Sequence, residues 1–149
     1  MTTTQSTNAD AALRSLELIC KGDTGPAVDD VIHPDFINHR PGPPRGGPDG
    51  FRDVVRWLGA AFAEISITPE DVIACHDKVV ARTRFKALHV APFQGIPPTN
   101  RTIEFDQIHI WRMQDGLVAE NWACADEVSG LRQMGVALPP SAGTQGDDQ

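Results

Sequence analysis

An amide and an imidazole lie two residues apart in the middle of an apolar segment of this sequence. Gln107 and His109 share one parity of the segment TIEFDQIHIWRM (102–113), and the rest of that row is large and apolar: Ile103, Phe105 and Trp111. Side chains of one parity point to one face of a strand. Two polar groups in such a row need partners, because an unpaired buried polar group costs about 1–3 kcal/mol. A polar ligand in a cavity would supply them.

His109 is the member of this pair that could transfer a proton. Its unperturbed pKa of about 6.5 lies near neutrality, so an imidazole there could serve as general acid or base. Asn38 and His39, in the segment DFINHR, are further polar candidates. A structural histidine, hydrogen-bonded only to protein groups, is also compatible with the pattern. The residues by themselves leave both interpretations open.

The next apolar segment, LVAENWACAD (117–126), has one face of small side chains: Leu117, Ala119, Asn121, Ala123 and Ala125. Small side chains beside Gln107 and His109 would leave room for a cavity. Alternatively, the alanines make room for a large aromatic residue from a neighbouring element. The opposite face of segment 102–113 is half apolar, and we expect it to pack against another layer, such as the helices.

Helices come first along the chain. Asp10 is expected to cap a helix that ends at Gly22, and a short helical turn is expected over 26–32. The stretch PGPPRGGPDG (41–50) contains too much glycine and proline for regular structure. A strongly amphipathic helix follows, with one apolar face formed by Phe51, Val54, Val55, Leu58 and Phe62.

Strands follow from about residue 65. Segments 72–76 and 78–90 predict a hairpin at His76-Asp77, and segments 102–113 and 117–126 a second one across Asp115-Gly116. A short helix over 127–135 closes the domain. This order predicts an α+β fold in which one curved antiparallel sheet wraps around the N-terminal helices. We expect a single domain over 1–149, with an ordered core of about 9–138 and flexible tails at 1–8 and 139–149.

Composition argues against several classes of function. The formal net charge is −7, without a run of basic residues, which disfavours nucleic acid as a partner. Three cysteines without a CxxC, and five histidines without an HxxxH, predict neither a disulfide framework nor a metal site. The first residues, MTTTQSTNAD, lack the basic and then apolar character of a signal peptide, and no apolar run approaches about 20 residues, so we expect a cytoplasmic protein without membrane association.

Five blocks of the sequence, taken in order, resemble SnoaL-like polyketide cyclases: HPDFINHRP, DGFRDVVRWLGAAF, GIPPTNR, FDQIHIWRMQDGLVAENW and DEVSGLRQMG. The resemblance spans about residues 11–136. It implies a conical α+β barrel of the NTF2-like kind with a deep apolar pocket. It also implies an intramolecular aldol condensation on anthracycline precursors, without metal or organic cofactor. In that reaction a carboxylate removes a carbon-bound proton and pocket hydrogen bonds stabilise the enolate.

Some of the family's site residues have counterparts in this sequence and one does not. Asn38, Gln107 and His109 match polar pocket residues of the family and are the predicted catalytic residues. The family's catalytic aspartate lies fourteen residues after the histidine, where this chain has Ala123. The nearby carboxylates Glu120, Asp126 and Asp106 fall on the opposite strand face, so none of them is expected to replace it unless the strand bulges. The predicted substrate-binding residues are Asn121, Phe105, Trp111, Ala123, Trp57 and Phe62.

Loss of the carboxylate makes the activity ambiguous. A divergent branch of the family hydroxylates anthracycline ring carbons with molecular oxygen, and Ala123 favours that interpretation. It would bind no cofactor but could require an external flavin- or NADPH-dependent reductase. The alternatives are an aldol cyclase with His109 as base, another cofactor-free isomerase or hydrolase, and a non-catalytic ligand-binding or dimerisation module. The expected substrate is an aromatic polyketide, and the resemblance implies a homodimer or homotetramer formed through the exposed sheet face.

Overall fold

Nine elements follow one another in the computed structural model, which describes residues 2–139. Three are α-helices, one is a 3₁₀ turn and five are strands. In chain order they are α1 (Thr3–Lys21), the 3₁₀ turn (Pro26–Val28), β1 (Ile32–Asn38), α2 (Gly47–Ala61), β2 (Phe62–Cys75), β3 (Lys78–His89), β4 (Thr102–Gln114), β5 (Leu117–Ala125) and α3 (Glu127–Gln133).

Helix α1 begins earlier than predicted. The Gln5 backbone N–H donates to Thr2 Oγ1 (3.2 Å), and the Thr2 N–H donates to Gln5 Oε1 (2.8 Å). This capping box satisfies two free backbone donors, so the helix starts seven residues before the predicted cap at Asp10. The predicted flexible tail over 1–8 is therefore wrong from residue 3 onward. The predicted end at Gly22 is confirmed, with φ 64°. Most of the predicted second tail, 140–149, lies outside the described residues.

The helical turn predicted over 26–32 is present in its first residues, and it is followed by strand β1, which was not predicted. Only Pro26–Val28 forms a 3₁₀ turn, and Ile32–Asn38 runs parallel to β5. Pro34 disfavours helical geometry at His33 before it. It also lacks an N–H, which is tolerated because β1 is an edge strand. The parallel pairing brings Asn38 beside Asn121.

Helix α2 begins at Gly47, inside the stretch expected to lack regular structure. Pro48 lies in its first turn, where a missing N–H costs no intrahelical bond. The prediction for 41–50 is therefore wrong for its last four residues. Phe62 is buried, as expected of an apolar-face residue, but it opens strand β2 instead of ending the helix.

The strands form one sheet in the order β1-β5-β4-β3-β2, in which only the β1–β5 pair is parallel. Within the described chain β1 and β2 do not pair with each other, so the sheet is open. Both predicted hairpins are confirmed. Asp115 and Gly116 have φ values of 53° and 75°, as a tight two-residue hairpin requires. The predicted α+β class is confirmed.

The inner face of β4 carries the predicted row, with Gln107, His109 and Trp111 buried. The helices pack on this side, where α3 places Gly130 against the Phe105 ring. The opposite face was expected to pack against another layer, such as the helices, but no helix within residues 2–139 covers it. Ile108 is 50% exposed and Ile110 39%. The helices line only the concave side of the sheet, so in the isolated chain its outer face meets solvent.

Two clusters of buried apolar residues stabilise this arrangement. The larger one joins α1, α2 and β1 to the inner end of the sheet around Trp111. The smaller one joins Phe62, Phe85, Ile103 and Met134 at the other end. No helix within residues 2–139 is long and apolar enough to span a membrane.

Candidate active site

A cavity of about 170 Å³ opens between the concave face of the sheet, α2 and α3. One water molecule needs only about 10–15 Å³ in the same measure, so the space suits an organic molecule. Most of its lining is apolar. The polar residues that line it are Asn38, Arg40, Gln94, Gln107, His109, Asn121 and Glu127.

Aromatic rings form the upper walls of the cavity. Phe93, in the loop between β3 and β4, packs against Trp57 (ring centroids 5.1 Å apart) and Phe62 (5.0 Å). Phe85 and Phe105 stack at 4.9 Å across β3 and β4. Such walls suit a flat aromatic ligand. Trp57, Phe62 and Phe105 therefore line the cavity as expected, whereas Phe93 was not anticipated.

Four side chains connect into a hydrogen-bonded row at the cavity floor. Asn121 Nδ2 donates to Asn38 Oδ1 (3.1 Å), which also accepts the Arg40 backbone N–H (3.3 Å). Asn121 Oδ1 lies 3.4 Å from His109 Nδ1, and His109 Nε2 lies 3.3 Å from the Gln107 side-chain oxygen. The parallel pairing of β1 with β5, and the antiparallel pairing of β5 with β4, bring these residues together.

This row determines where the imidazole carries its proton. The Arg40 backbone N–H fixes Asn38 Oδ1 as an acceptor, so the Asn121 NH₂ group faces Asn38 and the Asn121 oxygen faces His109. An amide oxygen can only accept, so His109 Nδ1 bears the hydrogen and Nε2 keeps a lone pair. The Gln107 amide donates to that lone pair when its NH₂ group faces the ring. The Thr83 hydroxyl, 3.5 Å from the Gln107 side chain, is compatible with this orientation because a hydroxyl can either donate or accept.

Burial keeps His109 neutral. Its residue is 5% exposed, and its ring stacks on Trp111 with centroids 5.0 Å apart and planes 5° from parallel. Burial lowers the pKa of His109 from 6.5 to about 4, against the hydrogen bond to Asn121, which raises it; the nearby Arg40 charge lowers it further. At neutral pH the site therefore holds an unprotonated imidazole able to accept a proton.

This shift predicts a pH-dependent stability. Between pH 6.5 and 4 the unfolded chain protonates His109 while the folded one does not, so stability falls as pH falls through that window. The contribution lost from pH 7.5 to 5 is about 2 kcal/mol. Urea unfolding at both pH values should show this loss in the wild type and not in His109→Gln. Other titrating groups are common to both proteins, so an identical pH dependence would contradict the assignment.

Trp111 and Ala123 are placed differently from expectation. Trp111 lines a smaller recess of about 40 Å³ beneath the polar row, not the main cavity, and supports His109 from below. Ala123 pairs directly across from His109 on β5 but is not among the described cavity-lining residues. Its methyl group is too short to reach the space in front of the imidazole. The expectation that these two residues line the main cavity is therefore wrong.

The carboxylates near this hairpin are engaged elsewhere. Glu120 pairs with Arg112 and His39, Asp106 with Arg84, and Asp126 caps α3 by accepting the Ser129 N–H (3.0 Å). The strand pairing does bulge, but at residues 118–120, and Glu120 still lies opposite Arg112. None of these three carboxylates is among the described residues that line the cavity.

Two charged residues that line the cavity were not predicted from the sequence. Arg40 and Glu127 both line its mouth, where Arg40 Nη2 lies 3.1 Å from Glu127 Oε1. Arg40 is two residues beyond Asn38 and so continues its parity, a signal that was available in the sequence. Glu127 opens α3, and its approach to Arg40 depends on the fold. Within residues 2–139, no group of three or more His, Cys, Asp or Glu side chains could hold a metal ion.

Comparison with known proteins agrees with this architecture. Nogalonic acid methyl ester cyclase of Streptomyces nogalater is 32% identical over 125 residues, covering 78% of this chain and 89% of that protein. Aklanonic acid methyl ester cyclase DnrD of Streptomyces peucetius is 31% identical, covering 93% and 97%.

Solved structures share the fold. TsrD from Streptomyces laurentii superposes with a TM-score of 0.81 at 28% identity, over 89% of this chain and 98% of that one. AclR from Streptomyces galilaeus, a proposed hydroxylase, has a TM-score of 0.74 over 91% of each chain, and its 18% identity shows the fold alone. The family described as SnoaL-like polyketide cyclase matches residues 9–134. The chain therefore belongs to the SnoaL-like polyketide cyclase family.

Proposed function

We propose that this protein closes a ring of an aromatic polyketide methyl ester by a cofactor-free intramolecular aldol reaction. The observation that carries the proposal is the neutral His109, held between two amides at the floor of an otherwise apolar cavity. Two curated relatives at 31–32% identity are named as cyclases of such methyl esters. This proposal ranks the cyclase above the hydroxylase that Ala123 alone favoured.

In the proposed reaction, the substrate displaces the Gln107 amide from His109 Nε2, which then removes a proton from the carbon next to the ester carbonyl. The C–H electron pair passes into the enolate, whose carbon attacks a second ketone of the same molecule and forms the new C–C bond. The resulting alkoxide takes a proton back, which regenerates the neutral imidazole. Substrate and product are isomers, so no oxidant or reductant is consumed.

The polar row stabilises both charges formed after proton transfer, the positive charge on His109 and the negative charge on the enolate oxygen. Asn121 Oδ1 accepts from His109 Nδ1 and so stabilises the imidazolium as it forms. The Asn38 amide nitrogen makes no hydrogen bond to another group within residues 2–139 and can donate to the enolate oxygen. A pKa of about 4 makes His109 a weak base towards water. An enolate beside the imidazolium offsets its burial cost, so proton transfer becomes favourable only with substrate in place.

The test is incubation of the purified protein with aklanonic acid methyl ester and nogalonic acid methyl ester, in air and anaerobically. Ring closure should give a product of unchanged mass with altered retention and absorbance, at equal rates with and without oxygen. A protein that binds these esters without converting them would contradict the proposal and favour a non-catalytic binding module. An unclosed isomer or a hydrolysed ester would instead indicate another cofactor-free reaction.

Hydroxylation is the second candidate, favoured by the methyl group at Ala123 where the family carries its base. This reaction would insert one atom of molecular oxygen into a ring C–H bond and reduce the other to water. It consumes two electrons beyond those of the substrate, supplied by an external flavin reductase with NADPH. The same incubation under ¹⁸O₂, with that reductase system added, should then give a product heavier by one labelled oxygen atom.

We also propose that the chain assembles as a homo-oligomer through the outer sheet face. Ile108, Ile110 and Trp122 are exposed there on adjacent strands, with the His39 ring stacked on Trp122 at 4.6 Å. Light scattering after size exclusion should give a multiple of 16.2 kDa. Ile110→Glu should shift it to the monomer, whereas Val128→Glu on exposed α3 should not. A monomeric wild type would contradict the assembly.

A further inference from the structure

Arg40 and Glu127 are the charged residues among the described residues that line the cavity, and they form an ion pair with each other. Every other described lining residue is apolar, an uncharged amide or the neutral His109. The Arg40 side chain is 26% exposed and that of Glu127 is 65% exposed. A guanidinium thus lies at the mouth of an apolar cavity, with a solvent-exposed carboxylate as its partner.

The Arg40 side chain can change partners while its backbone stays in place. An ion pair with one exposed member contributes little to stability, so Arg40 loses little when Glu127 moves into solvent. The Arg40 backbone, by contrast, is held by its N–H bond to Asn38 Oδ1 (3.3 Å). Asn38 belongs to the polar row that ends at His109. The Arg40 backbone is therefore fixed beside the polar row, and its side chain reaches the mouth of the cavity from there.

We propose that Arg40 binds a two-oxygen anion of the substrate and releases Glu127 as it does so. The chemistry it would recognise is a planar aromatic molecule with a carboxylate or an enolised 1,3-dicarbonyl at one edge. The inference deepens the proposed function and rests on it for the identity of the cavity as the substrate site.

The geometry of the two groups explains this choice of ligand. A guanidinium offers two parallel N–H donors, which match two oxygens held in one plane. A carboxylate and the enolate of a 1,3-dicarbonyl both present that pattern. The cavity walls are aromatic rings, so the rest of such a molecule would stack while its anionic edge faces Arg40. In the proposed reaction, the same contact would stabilise the enolate that His109 generates.

Non-reactive probes test this binding without turnover. Anthraquinone-2-carboxylate and anthraquinone-2-carboxamide are matched in shape and differ in charge. Ionised 2-acetylindane-1,3-dione is the enolate probe, with 2,2-dimethylindane-1,3-dione as its non-ionisable counterpart. Isothermal titration should show at least one anion binding about 10-fold or more tighter than its counterpart. The anion with the larger preference identifies the substrate's acidic group.

Variants assign the preference to Arg40. Arg40→Met should abolish it and leave carboxamide binding unchanged within about 2-fold, whereas Glu127→Gln should tighten anion binding about 3-fold by removing the competing carboxylate. Arg56→Met, on the exposed side of α2, changes the net charge equally and should leave the preference intact. Equal binding of anion and neutral probe to the wild type would overturn the proposal, as would a preference that survives in Arg40→Met. Should Arg40→Met not fold, unchanged anion affinity in Glu127→Gln would overturn it.

These outcomes are separate from those of the proposed function. An anion preference that depends on Arg40, in a protein that does not convert either methyl ester, would support the binding site and contradict the ring closure. Ring closure without an anion preference would support the proposed reaction and contradict the anion-binding role of Arg40. A preference for the carboxylate probe over the enolate probe would point to a free acid as the natural substrate.

Discussion

Replacing His109 by glutamine is expected to lower the turnover of a polyketide methyl ester by about 10²–10⁴-fold, the usual contribution of a general base. Glutamine retains hydrogen-bonding capacity beside Asn121 and Gln107 but cannot accept the substrate proton. Since the wild-type imidazole is neutral at pH 7.5, no charge is lost on substitution. The measurement is kcat and KM for the converted ester at that pH, and the loss should fall mainly on kcat.

His39→Gln is the matched control for this substitution. His39 lies on the outer side of the sheet, where it pairs with Glu120 at 3.0 Å and stacks on Trp122. Its loss should leave kcat within about 2-fold. Circular dichroism and urea unfolding at pH 7.5 would show that His109→Gln is folded. Full turnover in a folded His109→Gln protein would remove His109 from the reaction, and a parallel loss of stability and activity would mark it as a structural residue.

Introducing aspartate at position 123 is expected to raise the rate of ring closure by about 10²-fold. Ala123 lies directly across from His109 in the β4–β5 ladder, where the Cβ atoms of paired residues are about 4.5–5.5 Å apart. A carboxylate there would reach the cavity floor and could take the carbon-bound proton itself. It would also raise the pKa of His109 by its negative charge, which suits the imidazole to return a proton to the alkoxide.

The control for this variant is Val128→Asp. Val128 is exposed on α3 and is not among the described cavity-lining residues, so its substitution adds the same charge outside the cavity and away from the proposed interface. It should not change the rate. A folded Ala123→Asp protein with unchanged ring closure would show that position 123 does not limit the reaction. Faster ring closure together with weaker oxygen incorporation would indicate that the alanine selects hydroxylation in the wild type.

Local patterns account for the parts of the fold that were predicted. The alternation of apolar and polar residues in β4 indicates the buried row that contains Gln107 and His109, since strand periodicity is a local property. Asp115-Gly116 specifies a tight hairpin because both positions require positive φ. Gly22 ends α1 for the same conformational reason. In each case the signal lies within a few residues of the feature.

Two features that the sequence analysis missed or misjudged depend on partners distant in sequence. Ile32–Asn38 becomes a strand because β5, more than 80 residues later, offers it an unpaired edge. The outer face of β4 looks half apolar in sequence, yet the choice between a covering layer and open solvent lies in the path of the helices. The start of α1 was missed although its signal, the capping box of Thr2 and Gln5, is local.

The sequence by itself determined the α+β class and the inner row of β4, and its resemblance to a family implied the roles of Asn38, Gln107 and His109. Only the tertiary structure decided that Asn38 and Asn121 meet, that their bond leaves a lone pair on His109 Nε2, and that Arg40 and Glu127 converge at the mouth of the cavity. Residue type and strand parity depend only on residues that are close together in the sequence. Tautomer, burial and charge pairing depend on atoms that approach one another only after β1, β4, β5 and α3 have packed together.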